Sequence, residues 1–421
     1  MLGCGYDCLK AIGIRTHQNL AGWYCRISPV VPIYPGSLIL KVGFVLINEL
    51  WLGGVHYLLN LISALSELPD HPLQPILFVG PEVSDTTLEK FRPFLEEAPL
   101  RCDDIMVQEA KLPLLTFIRQ RAEGFEKTLR THRVDVLFHT PELLMGSRFG
   151  IPTLGWAPDV QHRLLPGMFG PVRYLRRELS FQLLIDESTR IMLSSECARK
   201  DVEMGFRRAQ GRLDAVPFAI QTRPPSTLPN LSTLRLKYDL PRRFFFLPNQ
   251  FWRHKNHVTV IKALQIANAS PIIVSTGSLN DPRDPGYSKI LQTLVQDLGV
   301  GDRFRILGQV PYEDVLGLLV NAQALLNPSL FEGWSTTVEE AKAYGIPMIL
   351  SDLPVHREQA GVRAKFFSPD APESLANLLC NAWEETPLLH RTEVALEAYP
   401  SSRMRFGESF LNLVRQCENR D

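Results

Sequence analysis

Apolar runs alternate with amphipathic stretches along most of the chain. The first run, LILKVGFVLI from Leu38, is apolar at nearly every position, which is typical of a strand covered on both faces. Residues 55–68 then carry apolar side chains at helical spacing, and another apolar run occupies 75–80. Further strands are predicted at 134–140, 151–158 and 189–195. This alternation predicts a parallel sheet with helices on its faces.

A second alternation of the same kind follows a proline-rich stretch at 221–242. It predicts strands at 244–250, 271–277, 303–310, 324–329 and 346–352, with helices at 257–267, 288–298 and 335–344. Two such arrays in tandem indicate an α/β chain with two doubly wound parallel-sheet domains. The predicted boundaries are an N-terminal domain at 38–222, a linker at 223–239 and a C-terminal domain at 240–395.

The two ends of the chain differ in pattern. Residues 396–421 have helical apolar spacing and predict a helix that packs back on the N-terminal domain. Residues 1–37 are rich in Gly and Pro without apolar periodicity, so we expect a poorly ordered extension that folding does not require. This segment also lacks the continuous apolar core of a signal peptide.

Composition narrows the possible functions. The 421 residues have a formal net charge of zero, which disfavours a nucleic-acid-binding protein. The seven cysteines are scattered without a CxxC pair, which favours a reducing, cytoplasmic location over a disulfide framework or a zinc ribbon. The most apolar run is far shorter than the roughly 20 residues of a membrane span.

The most informative segment is NPSLFEGWSTTVEEAKAYGIPMILSDLPVHRE, residues 327–358. Its pattern predicts a strand, a loop and a short helix that begins near Thr336 and ends at Gly345. Thr336 and Glu339 fit a capping box, and Gly345 suits the left-handed position after a helix. The free amides of this helix would point to the carboxyl end of a strand, where they form an anion site suited to a diphosphate.

This segment resembles the E-x7-E region of retaining nucleotide-sugar glycosyltransferases of the GT-B fold, family 4. Glu332 and Glu340 have the required spacing, and the intervening sequence differs mildly from the EGFG or EGFS of common members. The resemblance implies two Rossmann-like domains that face each other across a cleft. It places Glu332 near the transferred sugar and Glu340 on the ribose, with phosphate contacts from the segment that holds Gly333, Ser335, Thr336 and Thr337. The alternative is that both glutamates are solvated surface carboxylates.

The segment LPNQFWRHKNH, residues 247–257, follows a predicted strand and opens a helix. By the same resemblance, Lys255 matches a lysine that binds the donor diphosphate. The family's arginine position is held by Gln250, a departure that Arg253 could compensate. An exposed lysine near a helix start is the alternative for Lys255.

Two N-terminal segments also resemble parts of the family. In WAPDVQHRLLP, residues 156–166, Asp159 or His162 could orient the donor sugar or receive an acceptor proton; a turn cap and a packed histidine are the alternatives. Gly53 and Gly54 resemble the family's glycine loop after the first strand, and a plain tight turn is the alternative. The cluster RYLRR at 173–177 predicts contact with anionic lipid or a lipid-linked acceptor at the inner face of a membrane, or else a solvated helix face.

The resemblance implies transfer of a hexosyl or deoxyhexosyl group from a nucleotide-diphosphate sugar to a saccharide or lipid-linked acceptor, with retention of configuration. No cofactor and no catalytic metal are expected, and nucleic acid is not an expected partner. Two alternatives remain open, a sugar-nucleotide epimerase of the same fold and a non-catalytic nucleotide-sugar-binding subunit.

Overall fold

The structure is a computed structural model that describes residues 39–49, 51–103, 123–141, 150–281, 283–385, 395–396 and 399–418. The predicted extension at 1–37 lies outside the described residues. Within these ranges, no helix has the length and apolar character needed to cross a membrane.

In the described N-terminal part, seven parallel strands form one sheet in the order β3-β2-β1-β4-β5-β6-β7. The strands are β1 (Leu40–Leu46), β2 (Leu73–Val79), β3 (Leu100–Arg101), β4 (Val136–His139), β5 (Thr153–Trp156), β6 (Arg190–Leu193) and β7 (Leu213–Ala215). The helices between them are α1 (Leu52–Ser66), α2 (Asp85–Glu89), α3 (Glu123–Thr131), α4 (Gln161–Leu164), α5 (Pro171–Glu187) and α6 (Glu196–Gly205).

Six further parallel strands form a second sheet in the described C-terminal part, in the order β10-β9-β8-β11-β12-β13. They are β8 (Phe245–Leu247), β9 (Ile273–Thr276), β10 (Phe304–Gly308), β11 (Leu325–Asn327), β12 (Met348–Ser351) and β13 (Ala364–Phe367). The helices are α7 (Leu231–Tyr238), α8 (His257–Ile266), α9 (Tyr287–Asp297), α10 (Tyr312–Asn321), α11 (Thr336–Ala343), α12 (Pro354–Ala360) and α13 (Pro372–Glu384).

Helices cover both faces of the second sheet, as the continuous apolar runs predict. All three residues of β8 are fully buried, so consecutive side chains on opposite faces are both shielded from water. The strand order reverses between β8 and β11, which lie side by side. In open α/β sheets, ligands bind at the carboxyl ends of strands at such a reversal.

The last helix, α14 (Pro400–Glu418), packs on elements of the first sheet although it follows the second in sequence. Phe410 stacks on Phe44 of β1 with ring centroids 5.6 Å apart. Arg403 is buried and donates hydrogen bonds to Ser63 Oγ at 2.8 Å and to the carbonyl of Ile220 at 3.1 Å. Helix α14 is therefore part of the hydrophobic core around β1.

A second link between elements of the two sheets lies at α12. The carboxylate of Glu358 accepts hydrogen bonds from the backbone amides of Glu196 at 2.8 Å and Cys197 at 3.0 Å, which begin α6. A carboxylate at a helix N-terminus is favoured because it satisfies free amides and meets the positive end of the helix dipole.

Candidate functional site

The carboxyl ends of β8 and β11 bring Lys255 and Glu332 together. Lys255 ends a single 3-10 turn after β8, and Glu332 lies in the loop after β11. Lys255 Nζ lies 2.7 Å from Glu332 Oε1. The two strand ends are themselves joined, because Asn249 Nδ2 donates to Asn327 Oδ1 at 3.1 Å.

Neutral donors complete the surroundings of Glu332. Ser329 Oγ donates to Glu332 Oε1 at 2.7 Å, and Asn327 Nδ2 lies 3.4 Å from the same oxygen. Only 9% of the Glu332 side chain is exposed. Burial alone would raise the pKa of Glu332, but the charge and hydrogen bond of Lys255, together with the nearby His356 and His254, lower this pKa to about 2. Glu332 is therefore a carboxylate throughout the neutral pH range.

Helix α11 begins beside this pair, although the predicted capping box is wrong. Ser335 is the N-cap residue, and its Oγ accepts a hydrogen bond from Asn327 Nδ2 at 3.0 Å. Gln359 accepts from the amide of Ser335 and donates to its carbonyl, at 3.0 and 2.8 Å. These bonds place the N-cap at Ser335, one residue before the predicted Thr336, so Glu339 is the fourth helical residue and cannot complete the box.

Glu339 instead points into the protein. It is 3% exposed, and its carboxylate accepts from Lys342, Gln359 and Tyr399 at 3.0, 2.8 and 3.1 Å.

The end of α11 follows the sequence prediction. Gly345 has a φ of 67°, its amide donates to Lys342 at 3.2 Å, and the amide of Ile346 donates to Ala341 at 2.8 Å. This pair of bonds is a Schellman motif, which confirms Gly345 as the left-handed residue after the helix. At the other end, the amides of Thr336, Thr337 and Val338 have no hydrogen-bond partner among the described residues. They are free to bind an anion.

Glu340 lies on the same helix in a different environment. It is 2% exposed, and Tyr312 donates its hydroxyl hydrogen to Glu340 Oε1 at 2.7 Å. Burial raises the pKa of Glu340 to about 7, and the hydrogen bond from Tyr312 opposes that rise only in part. E-x7-E spacing thus gives two buried carboxylates that differ strongly in acidity.

Gln250 and Arg253 are not brought to the Lys255–Glu332 pair. Gln250 Oε1 accepts from the amide of Ser278 at 2.6 Å, so its side chain fixes the turn after β9. Arg253 pairs with Asp284 at 2.5 Å and lies over the ring of Tyr287. In the part of the chain that the structure describes, Lys255 is the only lysine or arginine in salt-bridge contact with Glu332.

The WAPD segment reaches the site through Gly333. A Cβ atom added to Gly333 would lie 2.2 Å from the carbonyl oxygen of Pro158 and 3.1 Å from Cβ of Asp159, so only glycine fits there. The carboxylate of Asp159 turns to Arg177 at 2.8 Å and accepts from the amide of Gln161 at 3.0 Å. The backbone at Pro158 and Asp159 therefore lies directly against the loop that carries Glu332.

His162 is placed elsewhere, inside the N-terminal elements. It is fully buried, and its Nε2 lies 3.1 Å from Glu178 Oε2 on α5. Its ring packs among aromatic rings of Phe169, Tyr174 and Phe181. No hydrogen bond or ring contact joins it to Glu332 among the described residues.

Gly53 and Gly54 lie in the first turn of helix α1, so the expected glycine loop is wrong in its local structure. A Cβ atom on Gly54 would lie 2.4 Å from a ring carbon of Trp51. The glycine makes room for the Trp51 ring, which stacks on Trp156 with centroids 5.6 Å apart.

The prediction missed Asn327, Tyr312 and His356. Asn327 ends β11, and a polar residue at the end of a buried strand is a usable sequence signal. His356 Nδ1 donates to the carbonyl of Ser351, 2.8 Å away, and its buried Nε2 has no partner among the described residues. Burial lowers the pKa of His356, and the charges of Glu332 and Lys255 both act on its ring. No spacing rule connects Tyr312 or His356 to Glu332 or Glu340, because they come from other elements.

Three comparisons relate this geometry to known proteins. Residues 235–395 match the model of a family described as glycosyl transferases group 1. The O-antigen chain mannosyltransferase RfbU of Salmonella typhimurium is 27% identical over 162 residues, which are 38% of this chain. The match covers 44% of that curated relative's length.

Solved structures match over much more of the chain. A glycosyltransferase from Rickettsia africae covers 91% of this chain and 99% of its own, with a TM-score of 0.66 and 14% identity. Anabaena Alr3699/HepE, solved in complex with UDP and glucose, covers 90% and 98%, with a TM-score of 0.63 and 17% identity. WaaG, a glycosyltransferase involved in lipopolysaccharide biosynthesis, covers the same shares, with a TM-score of 0.59 and 16% identity.

The chain has the GT-B fold. Two parallel-sheet Rossmann-like units are the defining feature of this fold, and both sheets match that prediction. In this GT-B chain, the family match covers the second sheet and all of the segment from Lys255 to Glu340. Among the described residues, no group of three or more His, Cys, Asp or Glu side chains is arranged to hold a metal ion.

Proposed function

We propose that this GT-B protein is a glycosyltransferase that moves a hexosyl or deoxyhexosyl group from a nucleotide-diphosphate sugar to a saccharide or lipid-linked acceptor. The observation that carries the proposal is the juxtaposition of Lys255, Glu332 and the free amides of α11 at the reversal of strand order. The predicted division into an acceptor-side domain at 38–222 and a donor domain at 240–395 is part of the proposal. The family match to glycosyl transferases group 1 supports it.

The donor diphosphate would bind between Lys255 and the start of α11. Lys255 is a compact point charge suited to phosphate, and the amides of Thr336, Thr337 and Val338 have no acceptor in the described part of the protein. These positive groups would stabilise the charge that develops on the leaving diphosphate, without a metal ion. Gly333 would line the same path through its backbone, and Ser335 would support it as the N-cap of α11, held by Gln359.

Glu332 would then face the transferred sugar. Its fixed negative charge, held by Ser329 and Asn327, is suited to a transition state in which the sugar ring becomes positive. Retention of configuration is part of the proposal and is implied by the resemblance to family 4. Glu340 would bind the ribose of the nucleoside.

The acceptor would enter from the N-terminal side. The backbone of Pro158 and Asp159 borders the Glu332 loop at Gly333, so an acceptor bound near this segment would reach the transferred sugar. We retain Asp159 as a proposed acceptor-side residue. The interior position of His162 favours a structural role that orients α4 against Glu178.

We also propose peripheral contact with the inner face of a membrane through the start of α5. Val172 and Leu175 are 66% and 44% exposed, and Arg173 lies between them. Exposed apolar residues with interspersed arginines are suited to anionic lipid. Flotation with anionic vesicles tests this contact, and a Val172→Ser, Leu175→Ser variant should float less than wild type.

The function is tested by incubating the protein with UDP-, GDP- and dTDP-sugars. A nucleoside diphosphate that binds the native state should raise the thermal midpoint, because stability increases by RT ln(1 + [L]/Kd), about 2.7 kcal/mol at a hundredfold excess over Kd. Transfer to an acceptor with an unchanged anomeric configuration, seen by NMR, supports the proposal. Epimerisation of the donor alone would identify an epimerase, and binding without turnover would identify a non-catalytic subunit.

A further inference from the structure

Tyr312 brings a hydroxyl group from a separate helix to the proposed ribose-binding carboxylate. It is the first residue of α10, just after the carboxyl end of β10, and its side chain donates to Glu340 Oε1 at 2.7 Å. Glu340 Oε2 has no hydrogen-bond partner among the described residues. A buried carboxylate with one oxygen satisfied and one open indicates a missing donor at the open oxygen.

We propose that Tyr312 is a positioning residue for nucleoside binding, which holds Glu340 so that Oε2 accepts a hydrogen bond from a ribose hydroxyl. This inference rests on the proposed function and extends it to a residue outside the E-x7-E segment. Tyr312 acts through Glu340 and need not touch the reacting sugar.

The hydroxyl of Tyr312 also controls the charge of Glu340. An ionised carboxylate accepts hydrogen bonds at both oxygens, whereas a protonated one loses acceptor capacity. Burial raises the pKa of Glu340 to about 7, and the hydrogen bond from Tyr312 lowers it. Removing this hydroxyl therefore moves the pKa of Glu340 upward, and the carboxylate form needed for ribose binding is then reached only at higher pH.

The other charged and titratable groups near α10 and α11 have partners or positions of their own. His56 of α1 packs on the Tyr312 ring with ring centroids 5.1 Å apart, and burial lowers its pKa, which favours the neutral imidazole. The remaining groups make no hydrogen bond to Glu340 and have other partners. The salt bridges are Arg223 with Glu313, Glu339 with Lys342, and Lys237 with Asp314. The hydrogen bonds are Glu358 with α6, His356 with Ser351, and Tyr344 with Arg223. Tyr312 is thus the direct partner of Glu340.

The chain offers a matched control for the loss of this hydroxyl. Tyr238 of α7 donates to Asp314 Oδ2 at 2.5 Å, which is also a tyrosine-to-carboxylate bond on α10. Tyr238→Phe removes the same chemical group from a carboxylate that has no part in the proposed site. Any general effect of losing such a bond on α10 should appear in both variants.

The experiment measures Kd by calorimetry from pH 5.5 to 9 for the ribonucleoside diphosphate that binds best, UDP or GDP, and for its 2′,3′-dideoxy counterpart. Wild-type affinity for the ribonucleotide should fall as pH decreases through about 7. At pH 7, Tyr312→Phe should lower the ribonucleotide affinity about tenfold. In this variant the pH midpoint of the ribonucleotide affinity should move upward, so that part of the affinity returns at pH 9. Binding of the dideoxy nucleotide should change little, and Tyr238→Phe should behave as wild type.

Two results would overturn the inference while the proposed function stands. One is the same ribonucleotide Kd and pH midpoint in Tyr312→Phe and wild type. The other is an equal loss for the ribo and dideoxy nucleotides, which would show a general distortion. Wild-type protein that binds no nucleoside diphosphate would overturn both proposals. As a second check, Tyr312→Phe added to Glu340→Gln should have almost no further effect, because coupled residues are not additive.

Discussion

Glu332 and Glu340 are the same residue type, eight positions apart, yet their surroundings give them opposite acidity. Both are nearly inaccessible to water, and burial acts to raise both pKa values. Beside Glu332, the charge of Lys255 at 2.7 Å overcomes burial and lowers its pKa to about 2. Beside Glu340, the neutral hydroxyl of Tyr312 does not, and the pKa rises to about 7.

This difference in pKa suits the two glutamates of one short segment to different roles. In the proposed function, a permanently charged Glu332 would stabilise positive charge during transfer at any physiological pH. Glu340 near its midpoint can exchange a proton as the ligand arrives, so its hydrogen bonds depend on pH. Perturbed carboxylates in a cleft are typical of functional sites, and a pair with opposite shifts indicates two roles.

The largest effect should come from removing the charge of Glu332. We expect Glu332→Gln to lower kcat by about a hundred- to a thousandfold, as the loss of one preorganised electrostatic group does. Nucleoside diphosphate affinity should stay equal or become tighter, because Lys255 is freed from its ion pair. Steady-state kinetics and calorimetry on the same preparation measure both quantities. A loss of affinity that matches the loss of kcat would contradict the division of roles.

Removing Lys255 should make the two carboxylates alike. Lys255→Gln leaves Glu332 buried without its cation, so the pKa of Glu332 should rise and activity should gain a new dependence on pH at the acid side. Diphosphate affinity should fall by about tenfold to a hundredfold, since a charged contact to phosphate is lost. Arg253→Gln is the matched control, because Arg253 pairs with Asp284. Equal affinity in the Lys255 variant and wild type would show that the lysine does not bind phosphate.

Glu340→Gln should lower the affinity for the nucleotide-sugar donor and at the same time stabilise the folded protein. The folded-state pKa of Glu340 lies above its ordinary value of 4.5, so ionisation costs stability as pH rises from about 4.5 through 7. Glutamine removes this cost, and unfolding free energy at pH 8 should increase by about 1 to 3 kcal/mol, with little change at pH 5. Urea unfolding at the two pH values measures the difference. Lower stability of the variant at pH 8 would contradict the burial argument.

The smallest effect on binding should come from changing Glu339, which is adjacent to Glu340 in sequence but has no part in the proposed nucleotide site. Its carboxylate has three partners, so Glu339→Gln should cost about 1 to 3 kcal/mol of stability through buried groups left without a full partner. Donor affinity and its pH midpoint should remain those of wild type. The same calorimetric titration measures both quantities. A shifted pH midpoint of nucleotide affinity would show that Glu339 as well as Tyr312 influences the pKa of Glu340.

The strands and helices around this segment were predictable because both sheets are covered on two faces. Continuous apolar runs such as FFFL leave few interpretations other than buried strands, and Gly345 ends α11 in the predicted left-handed conformation. Two such arrays predict two doubly wound domains, and the resemblance of residues 327–358 to GT-B glycosyltransferases implied the GT-B fold. Lys255 and Glu332 were predicted through the family resemblance, and in the structure each follows a strand at the same edge of the sheet.

Residues that act across elements could not be predicted. Tyr312 and Gln359 contact α11 from α10 and α12. The directions of their side chains depend on how these helices pack together, and the apolar periodicity of one segment carries no information about such packing. The capping box failed for a related reason, since Gln359 and Asn327 fix Ser335 from outside the helix. His162 was predicted as a site residue from the segment 156–166 alone. Its partner Glu178 lies 16 residues away on α5, outside that segment.

The contact at Gly333 joins the loop that carries Glu332 to the WAPD segment. A backbone carbonyl of the WAPD segment occupies the space where any side chain would start, 2.2 Å from the ideal Cβ position. Even the methyl group of alanine would clash with this carbonyl and push the Glu332 loop away from the WAPD segment. Residue 333 therefore has to be glycine for the two loops to lie in direct contact.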